Sequence, residues 1–268
     1  MERDGQNILV TQDNGVLEVT INRPELRNAV STDMPAKLTT IFQNAQNDSN
    51  VRCVLITGAG DHFSAGGDIA GFQQTLALSA EQRQIEFRQR MGRVSTMVEA
   101  FLAFDRPIVA RCVGSVAGVA LGLVLAADMV LASQTAMFYF AHQRMALVPD
   151  AGVTWLLPRL IGLRNAKRLL LTAAKVGSAE ALQLGLVTSV HPTDELDAAV
   201  AKTVGALVCA PQEAVKRTKK LLNDSLSNSV LQQLAAECDN IVHCVGQQDF
   251  SEAIQAFMAK RPPNFTLR

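Results

Sequence analysis

The segment FSAGGDI, residues 63–69, is a place where the main chain itself could take part in chemistry. Between Phe63 and the carboxylate of Asp68 lie four residues with almost no side chain, so another molecule can closely approach the backbone N–H groups. Residues 58–68 and 114–118 share one arrangement, in which a strand ends, glycine turns the chain and a helix begins. Two N–H groups that converge on one oxygen would stabilise an enolate or tetrahedral anion, each donor contributing about 2.7–4 kcal/mol. The pattern predicts a backbone clamp for an oxyanion or carbonyl, and a tight structural turn is the alternative.

Other chemistries fit the same residues less well. Residues 58–60 read GAG after a strand, as in a dinucleotide-binding loop, but Phe63 occupies the place of the third glycine and no helix begins promptly. Ser64 lacks the glycine two residues earlier that a serine-hydrolase nucleophile elbow requires. Cys238 and Cys244 flank His243 without a CxxC pair, so no metal site is predicted.

The composition is that of a globular chain with no electrostatic preference for polyanions. Of 268 residues, 48% are hydrophobic, and 25 basic side chains balance 25 acidic ones. With one Trp and one Tyr as well, nucleic-acid binding is not expected. Five cysteines, an odd number, favour reduced thiols and a cytoplasmic location. The most apolar run, residues 112–127, is short for a membrane span, and residues 1–5 are polar without a signal region, so no membrane association is expected.

The elements that position the two glycine segments form a strand–helix series followed by a helical tail. The predicted strands are residues 8–11, 16–21, 51–57, 108–113, 129–132, 136–140 and 187–190. The predicted helices are residues 80–104, 118–127, 166–172 and 179–184, one that runs to residue 46 and one that opens at residues 149–152. Ser31 or Thr32 is expected to cap the helix that runs to residue 46. From residue 194 onward every segment is predicted helical, with breaks near residues 211, 227 and 246.

Several segments together resemble the crotonase (enoyl-CoA hydratase/isomerase) superfamily. They are RNA at 27–29, FSAGGDI at 63–69, residues 107–128, LVPDAG at 147–152, SAEA at 178–181 with GLV at 185–187, and AFMAKR at 256–261. They cover nearly the whole chain in the family's order. The resemblance implies an α/β fold with a ββα spiral core that binds acyl-CoA over residues 1–193. It also implies an all-helical trimerisation region over residues 194–268, and hence a homotrimer or a dimer of trimers.

The resemblance also assigns roles to individual positions. The oxyanion donors fall on the backbone N–H groups of Gly67 and Val119, with Gly118 as the adjacent alternative to Val119. The positions that match those lining coenzyme A in the family are Arg27, Ala29, Ala65, Asp68, Ile69 and Lys260. For Asp68 a structural role, as a cap or a buried hydrogen-bonding carboxylate, is expected to dominate, and Lys260 is equally consistent with an ordinary solvated lysine. Coenzyme A enters as part of the thioester substrate, so neither a separate cofactor nor a metal is implied.

The acidic positions decide which reaction is expected. Hydratases of the superfamily use two glutamates as paired acid–base groups, and those positions align to Gly122 and His142. Hydration by that mechanism is therefore not expected. Asp150 is a carboxylate placed where the acyl chain should lie, as in the dienoyl-CoA isomerases and the ring-opening isomerases of bacterial phenylacetate breakdown. Residues 147–160 and 260–266 look closest to the ring-opening type. Capping of the following helix is the alternative role for Asp150.

The resulting prediction is an enoyl-CoA isomerase in which Asp150 is the single base and a dienolate is held by Gly67 and Val119. His142 is either a second acid–base group or, as we prefer from sequence, a polar residue in the pocket wall. The alternatives are an atypical enoyl-CoA hydratase, a thioester hydrolase and a non-catalytic acyl-CoA-binding homologue. A structural oligomer without a ligand is the remaining one.

Overall fold

Nine strands and eleven α-helices make up the part of the chain that the computed structural model describes, residues 7–265. The prediction for residues 1–5 lies outside this part, as do residues 266–268. The strands are β1 (Ile8–Asp13), β2 (Val16–Ile21), β3 (Cys53–Gly58), β4 (Ile108–Cys112), β5 (Ser115–Ala117), β6 (Met129–Ser133), β7 (Met137–Tyr139), β8 (Lys175–Gly177) and β9 (Ser189–His191).

The helices are interspersed with the strands as far as β9, and after β9 only helices follow. They are α1 (Met34–Asn47), α2 (Ile69–Gln74), α3 (Ala80–Ala103), α4 (Val119–Ala126), α5 (Val153–Ile161), α6 (Leu163–Leu171), α7 (Ser178–Leu184), α8 (Leu196–Val208), α9 (Gln212–Asp224), α10 (Val230–Val245) and α11 (Gln248–Met258). The predicted helical tail with its three breaks is confirmed.

The strands form one six-stranded and one three-stranded sheet, and successive segments of the chain pass from the large sheet to the small one. The large sheet has the order β1-β2-β3-β4-β6-β9, and the small sheet has the order β5-β7-β8. β4 leads into β5, and β6 leads into β7, so each pair places one strand in each sheet. An isolated bridge from Ser64 to Val116 brings the segment after β3 beside β5 in the same way. The predicted α/β spiral of repeated units is thereby confirmed.

The core lies between the large sheet and the helices on both of its sides. β3 and β4 are almost entirely buried, which explains their near-continuous apolar sequences. On one side, Phe42 of α1 packs against Phe101 of α3 with ring centroids 4.2 Å apart. On the other side, α8 packs on the sheet through Leu196, Val200 and other apolar residues. The first helix after residue 194 therefore belongs to the packed core.

The structure differs from the sequence predictions at three places. α1 begins after Asp33, and the Ser31 hydroxyl donates to the Asp33 carboxylate (2.6 Å) instead of capping the helix, so the predicted Ser31 or Thr32 cap is wrong. The strands β5 and β8, of three residues each, were not predicted. Asp150 lies before α5, whose N-cap is Gly152.

The apolar run at residues 112–127 is divided between strand, turn and helix. Its longest regular element, α4, has eight residues, of which seven are buried inside the protein. Among the helices of residues 7–265, none combines the length and apolar character that crossing a bilayer requires.

Candidate active site

Hydrogen bonds fix the first glycine segment, and they leave the N–H group of Gly67 unused within residues 7–265. The Ser64 hydroxyl donates to the carbonyl of Asn28 (2.7 Å) and accepts from the N–H of Gly66 (3.1 Å), so this hydroxyl serves the turn. Val30 pairs with the segment on either side of Gly67: its N–H donates to the Gly66 carbonyl (2.7 Å), and its carbonyl accepts from Asp68 (3.1 Å). In a parallel bridge of this kind the N–H of Gly67 points away from Val30. Within the described chain that N–H donates to no other group.

The second glycine segment lies directly against the first. Gly118 has a φ of 52°, and a Cβ atom there would lie 3.3 Å from Gly66 Cα and 3.6 Å from the nitrogen of Gly67. Val119 is the first residue of α4, so its N–H has no acceptor within the helix. The N-terminal end of a helix favours negative charge. The two glycine segments are thus in contact, with Gly67 in one and Val119 directly after the other, and the predicted two-donor clamp would lie between them.

A cavity opens beside this clamp and gathers most of the predicted site residues. Those that line it are Ala65, Gly67, Asp68, Ile69, Val119, His142 and Asp150. Much of the remaining wall is apolar and comes from α2, α3 and the loop before α5, with Phe72, Met91, Val94 and Leu147 as examples. The cavity therefore combines a mostly apolar wall with a few polar groups, which is the general form of a small-molecule site.

Three of the predicted ligand-binding residues lie outside this cavity. The Arg27 side chain is exposed, and its carbonyl accepts from the N–H of Ala65 (2.8 Å), so its backbone supports the clamp segment. Ala29 is buried, and its carbonyl accepts from Arg23 (2.7 Å). Lys260 follows α11 in a left-handed conformation with a φ of 52°. Their predicted roles toward coenzyme A remain predictions.

Asp68 is committed to structure, as the sequence favoured. One carboxylate oxygen forms an ion pair with Arg23 (2.9 Å), and the other accepts from the N–H of Ala70 (3.1 Å), which caps α2. Arg23 was not predicted from sequence, because nothing distinguishes it there: it is an arginine immediately before a proline, four residues from Arg27.

Arg90 lines the cavity and was also missed by sequence reasoning. It donates to the carbonyl of Gly71 (3.2 Å), pairs with Glu86 (3.0 Å) and lies over the rings of Phe72 and Phe87 at 5.9 and 5.5 Å. These contacts hold α2 against α3 at the rim of the cavity. The only sequence signal was the abundance of arginine and glutamate along α3.

His142 and Asp150, which both line the cavity, lie next to each other. His142 Nε2 lies 3.5 Å from Asp150 Oδ1, and the His142 side chain is 8% exposed. Asp150 is not a helix cap, since no side-chain hydrogen bond caps α5. Among the described residues, neither ring nitrogen of His142 nor Oδ1 of Asp150 has a hydrogen-bond partner. Burying such atoms without hydrogen-bond partners costs free energy, so the two side chains are poised to bind a partner or each other.

The place of the absent hydratase glutamate is occupied by backbone. A Cβ atom on Gly122 would lie 2.2 Å from the carbonyl oxygen of Ala151 and 2.4 Å from its Cβ. Ala151 and Gly152 have φ values of 50° and 74°, which form the sharp turn that places Asp150 before α5. Because Gly122 lacks a side chain, this turn rests directly on α4, the helix that also carries the clamp residue Val119.

The two buried cysteines of the described chain, Cys53 and Cys112, are not reactive nucleophiles. Burial raises the pKa of the Cys53 thiol to about 12, and burial raises the pKa of Cys112 as well. Since the thiolate is the reactive species, neither side chain is a nucleophile near neutral pH. No group of three or more His, Cys, Asp or Glu side chains within residues 7–265 is arranged to hold a metal ion.

Comparison with known proteins places these features in a family. The sequence profile described as enoyl-CoA hydratase/isomerase matches residues 11–268. The chain is 34% identical over 256 residues to a Rhodobacter capsulatus protein named "Probable enoyl-CoA hydratase", covering 95% of each. It is 30% identical to the 1,2-epoxyphenylacetyl-CoA isomerase of Escherichia coli, covering 97% of this chain and 98% of that protein.

A solved structure is similar over the same extent. The enoyl-CoA hydratase from Bacillus anthracis has 28% sequence identity and a TM-score of 0.90, covering 98% of this chain and all of that one. Hydratases and isomerases both occur among these relatives, so the comparisons define the superfamily and not the reaction. Together with the paired glycine segments, they show that the chain belongs to the enoyl-CoA hydratase/isomerase family of the crotonase superfamily.

Proposed function

We propose that this chain is an enoyl-CoA isomerase. The thioester oxygen of the substrate accepts hydrogen bonds from the N–H groups of Gly67 and Val119. Asp150 removes a proton from the acyl carbon beside the double bond, and the electron pair passes into a dienolate whose charge lies on the thioester oxygen. The same carboxylate returns the proton two carbons along the chain, so the protein ends in its starting state.

The observation that carries this proposal is the availability of one carboxylate. Two carboxylates line the cavity, and Asp68 is held by Arg23 and by α2. Within the described residues, the Asp150 carboxylate has no hydrogen-bond partner, and its one ionisable neighbour is His142 at 3.5 Å. A double-bond shift requires only one proton carrier, whereas the hydratase mechanism of this superfamily requires two. The packing of Ala151 on Gly122 leaves no room for a second carboxylate at that position.

The lining of the cavity supports an acyl-CoA substrate with an apolar acyl group. Phe72, Met91 and Val94 offer hydrocarbon surface to the acyl chain. Ala65 and Ile69 are exposed next to the clamp, where a thioester's carrier portion would leave the cavity. The positively charged Arg27 and Lys260 remain candidates for the phosphates of coenzyme A.

The proposal is tested by offering purified protein 3-hexenoyl-CoA and 2-hexenoyl-CoA and following their interconversion by ultraviolet absorbance and mass spectrometry. We expect Asp150→Asn to lower kcat by about 10²–10⁴-fold, the usual contribution of a positioned acid–base group, while substrate binding persists. Asp194→Asn, which changes an exposed carboxylate outside the cavity, serves as the matched control and should leave the rate unchanged. Undiminished isomerisation by Asp150→Asn would contradict the proposal.

The same assay separates the alternatives by product. Formation of 3-hydroxyacyl-CoA would indicate hydration, and release of free coenzyme A would indicate thioester hydrolysis. Binding of the CoA esters without any product would indicate a non-catalytic homologue. Absence of binding would leave a structural oligomer.

A further inference from the structure

Two oxygens of one carboxylate have different surroundings in this site. Asp150 Oδ1 is buried, has no partner within residues 7–265 and lies 3.5 Å from His142 Nε2. Asp150 Oδ2 is not among these buried unpaired atoms, and the Asp150 side chain is 29% exposed where it lines the cavity. One oxygen therefore faces the imidazole, and the other is open to a ligand.

The His142 imidazole is buried without hydrogen-bond partners in the described chain. His142 is nine-tenths buried, and neither ring nitrogen has a partner in the described chain. A merely structural histidine in a protein interior ordinarily has at least one ring nitrogen hydrogen-bonded. In the same molecule, His62 shows that behaviour, since its Nδ1 accepts from the N–H of Ser115 (3.1 Å). Within residues 7–265, Asp150 is the only titratable group that lies within ion-pair distance of His142.

We infer that His142 is a positioning residue whose Nε2–H donates to Oδ1 of Asp150 in the substrate complex, which leaves Oδ2 as the oxygen that carries the proton. The inference rests on the proposed isomerase function and deepens it. Catalytic hydrogen bonds are commonly long in the free protein and shorten when the substrate binds, and 3.5 Å is a separation of that kind. His142 keeps its own proton throughout, so the proton balance stays that of a single carrier, Oδ2.

This arrangement gives His142 a task that a pocket-wall residue lacks. A carboxylate that is free to rotate would present either oxygen to the substrate at varying distances. A donor on Oδ1 holds the carboxylate plane, and the proton must be moved over two carbons without loss of alignment. At the position of the second hydratase glutamate, this chain thereby carries a hydrogen-bond donor, His142, that orients Asp150.

The functional test uses two substitutions that keep different parts of the imidazole. His142→Gln can place an amide N–H near the position of Nε2, whereas His142→Asn can place one only near Nδ1. We expect His142→Asn to lower kcat for 3-hexenoyl-CoA by about 10²-fold with little change in KM, and His142→Gln to recover most of the loss. In the Asp150→Asn background, His142→Asn should have no further effect, because a residue that acts through Asp150 has nothing left to position.

These variants contradict the inference if Gln is no better than Asn, or if the losses from His142 and Asp150 add independently. The second result would make His142 a proton carrier in its own right. Circular dichroism and thermal unfolding identify a variant that fails to fold, and the Gln variant, with its side chain of similar length, then remains the informative one.

A second measurement does not depend on turnover. The chain has four histidines, so ¹⁵N NMR of the ring nitrogens is readily assigned by substitution, and His62 provides a reference for a ring protonated at Nε2. With or without the unreactive hexanoyl-CoA, we expect His142 to carry its proton on Nε2 and its signal to move in Asp150→Asn. A proton on Nδ1 alone, or a signal insensitive to Asp150→Asn, would overturn the inference. If the spectrum is as expected but no isomerisation occurs, the proposed function fails while the contact stands.

Discussion

Gly122 is the residue on which the position of Asp150 depends most directly. The missing side chain allows the Ala151 turn to rest on α4, and α4 also presents the N–H of Val119. The spacing of three residues between Val119 and Gly122 puts both on adjoining turns of one helix. The proposed clamp residue Val119 and the proposed base Asp150 therefore both depend on α4, so we expect a change at Gly122 to affect chemistry more than binding.

We expect Gly122→Ala to lower the free energy of unfolding by about 1–3 kcal/mol through overpacking and to lower kcat for 3-hexenoyl-CoA by about 10²-fold. Urea unfolding and steady-state kinetics measure the two effects. Gly205→Ala is the matched control, because Gly205 lies in α8 with nothing within 4 Å of an added Cβ, and it should stabilise by about 0.5–1 kcal/mol. A Gly122→Ala protein with full activity would mean that the Ala151 turn moves aside without disturbing Asp150.

At the scale of elements, α1 and α4 both contribute to the wall of the cavity. Val30, Ser31, Thr32 and Pro35 line the cavity at and just before the start of α1, and α4 contributes Val119. The start of α1 is stabilised by charge, since Asp33 pairs with Lys37 (2.6 Å) and accepts from Ser31 (2.6 Å). These hydrogen bonds, with that from Lys37 the largest cause, lower the pKa of Asp33 to about 2.

The Asp33 pKa predicts a pH-dependent contribution to stability. A carboxyl whose pKa is depressed by folding stabilises the protein above its unfolded value of 3.8, and the contribution is lost as the pH falls through about 2. We expect Asp33→Asn to lower the free energy of unfolding at pH 6, by less than about 1 kcal/mol because the pair is half exposed. The difference from the unsubstituted protein should shrink below pH 4 in urea titrations. A difference that persists unchanged to pH 2 would show that the charge of Asp33 is not its cause.

At the scale of the whole molecule, the helical tail carries apolar surface that this single chain does not cover. Exposed apolar side chains on α10 and α11 include Val230, Leu231, Leu234, Ile241, Val242, Val245, Phe257 and Met258. Patches of this kind are unusual on monomers and mark association surfaces. They support the prediction of a homotrimer or a dimer of trimers.

Light scattering after size exclusion tests that assembly. Three chains of 28.9 kDa give about 87 kDa, and we expect this mass or twice it. Leu231→Asp, which places a charge where the exposed fraction is now 76%, should lower the mass. Val10→Asp makes the same chemical change on an exposed position of β1, outside the tail, and should not. A single species of 28.9 kDa for the unsubstituted protein would rule out the predicted assembly.

The sequence by itself determined most of the elements and which two segments could form a backbone clamp. Apolar periodicity located most strands and helices, because burial of one face imposes that period locally, and the small residues at 63–69 and 114–118 marked the backbone that a ligand can approach. The absence of glutamate at Gly122 and His142 was likewise visible without coordinates. Local competition for hydrogen bonds was not visible in the sequence. The Ser31 hydroxyl binds Asp33 and does not cap α1, and for this reason the predicted cap was wrong.

Only the tertiary structure decided how residues distant along the chain combine. The ion pair of Arg23 with Asp68, the contact of Ala151 with Gly122 and the approach of His142 to Asp150 each depend on how a turn and a neighbouring element pack. Such distances arise from packing in three dimensions and leave no period in the sequence. The sequence could therefore single out Asp150 as the candidate base, whereas only the fold distinguished its two oxygens by placing Oδ1 beside His142.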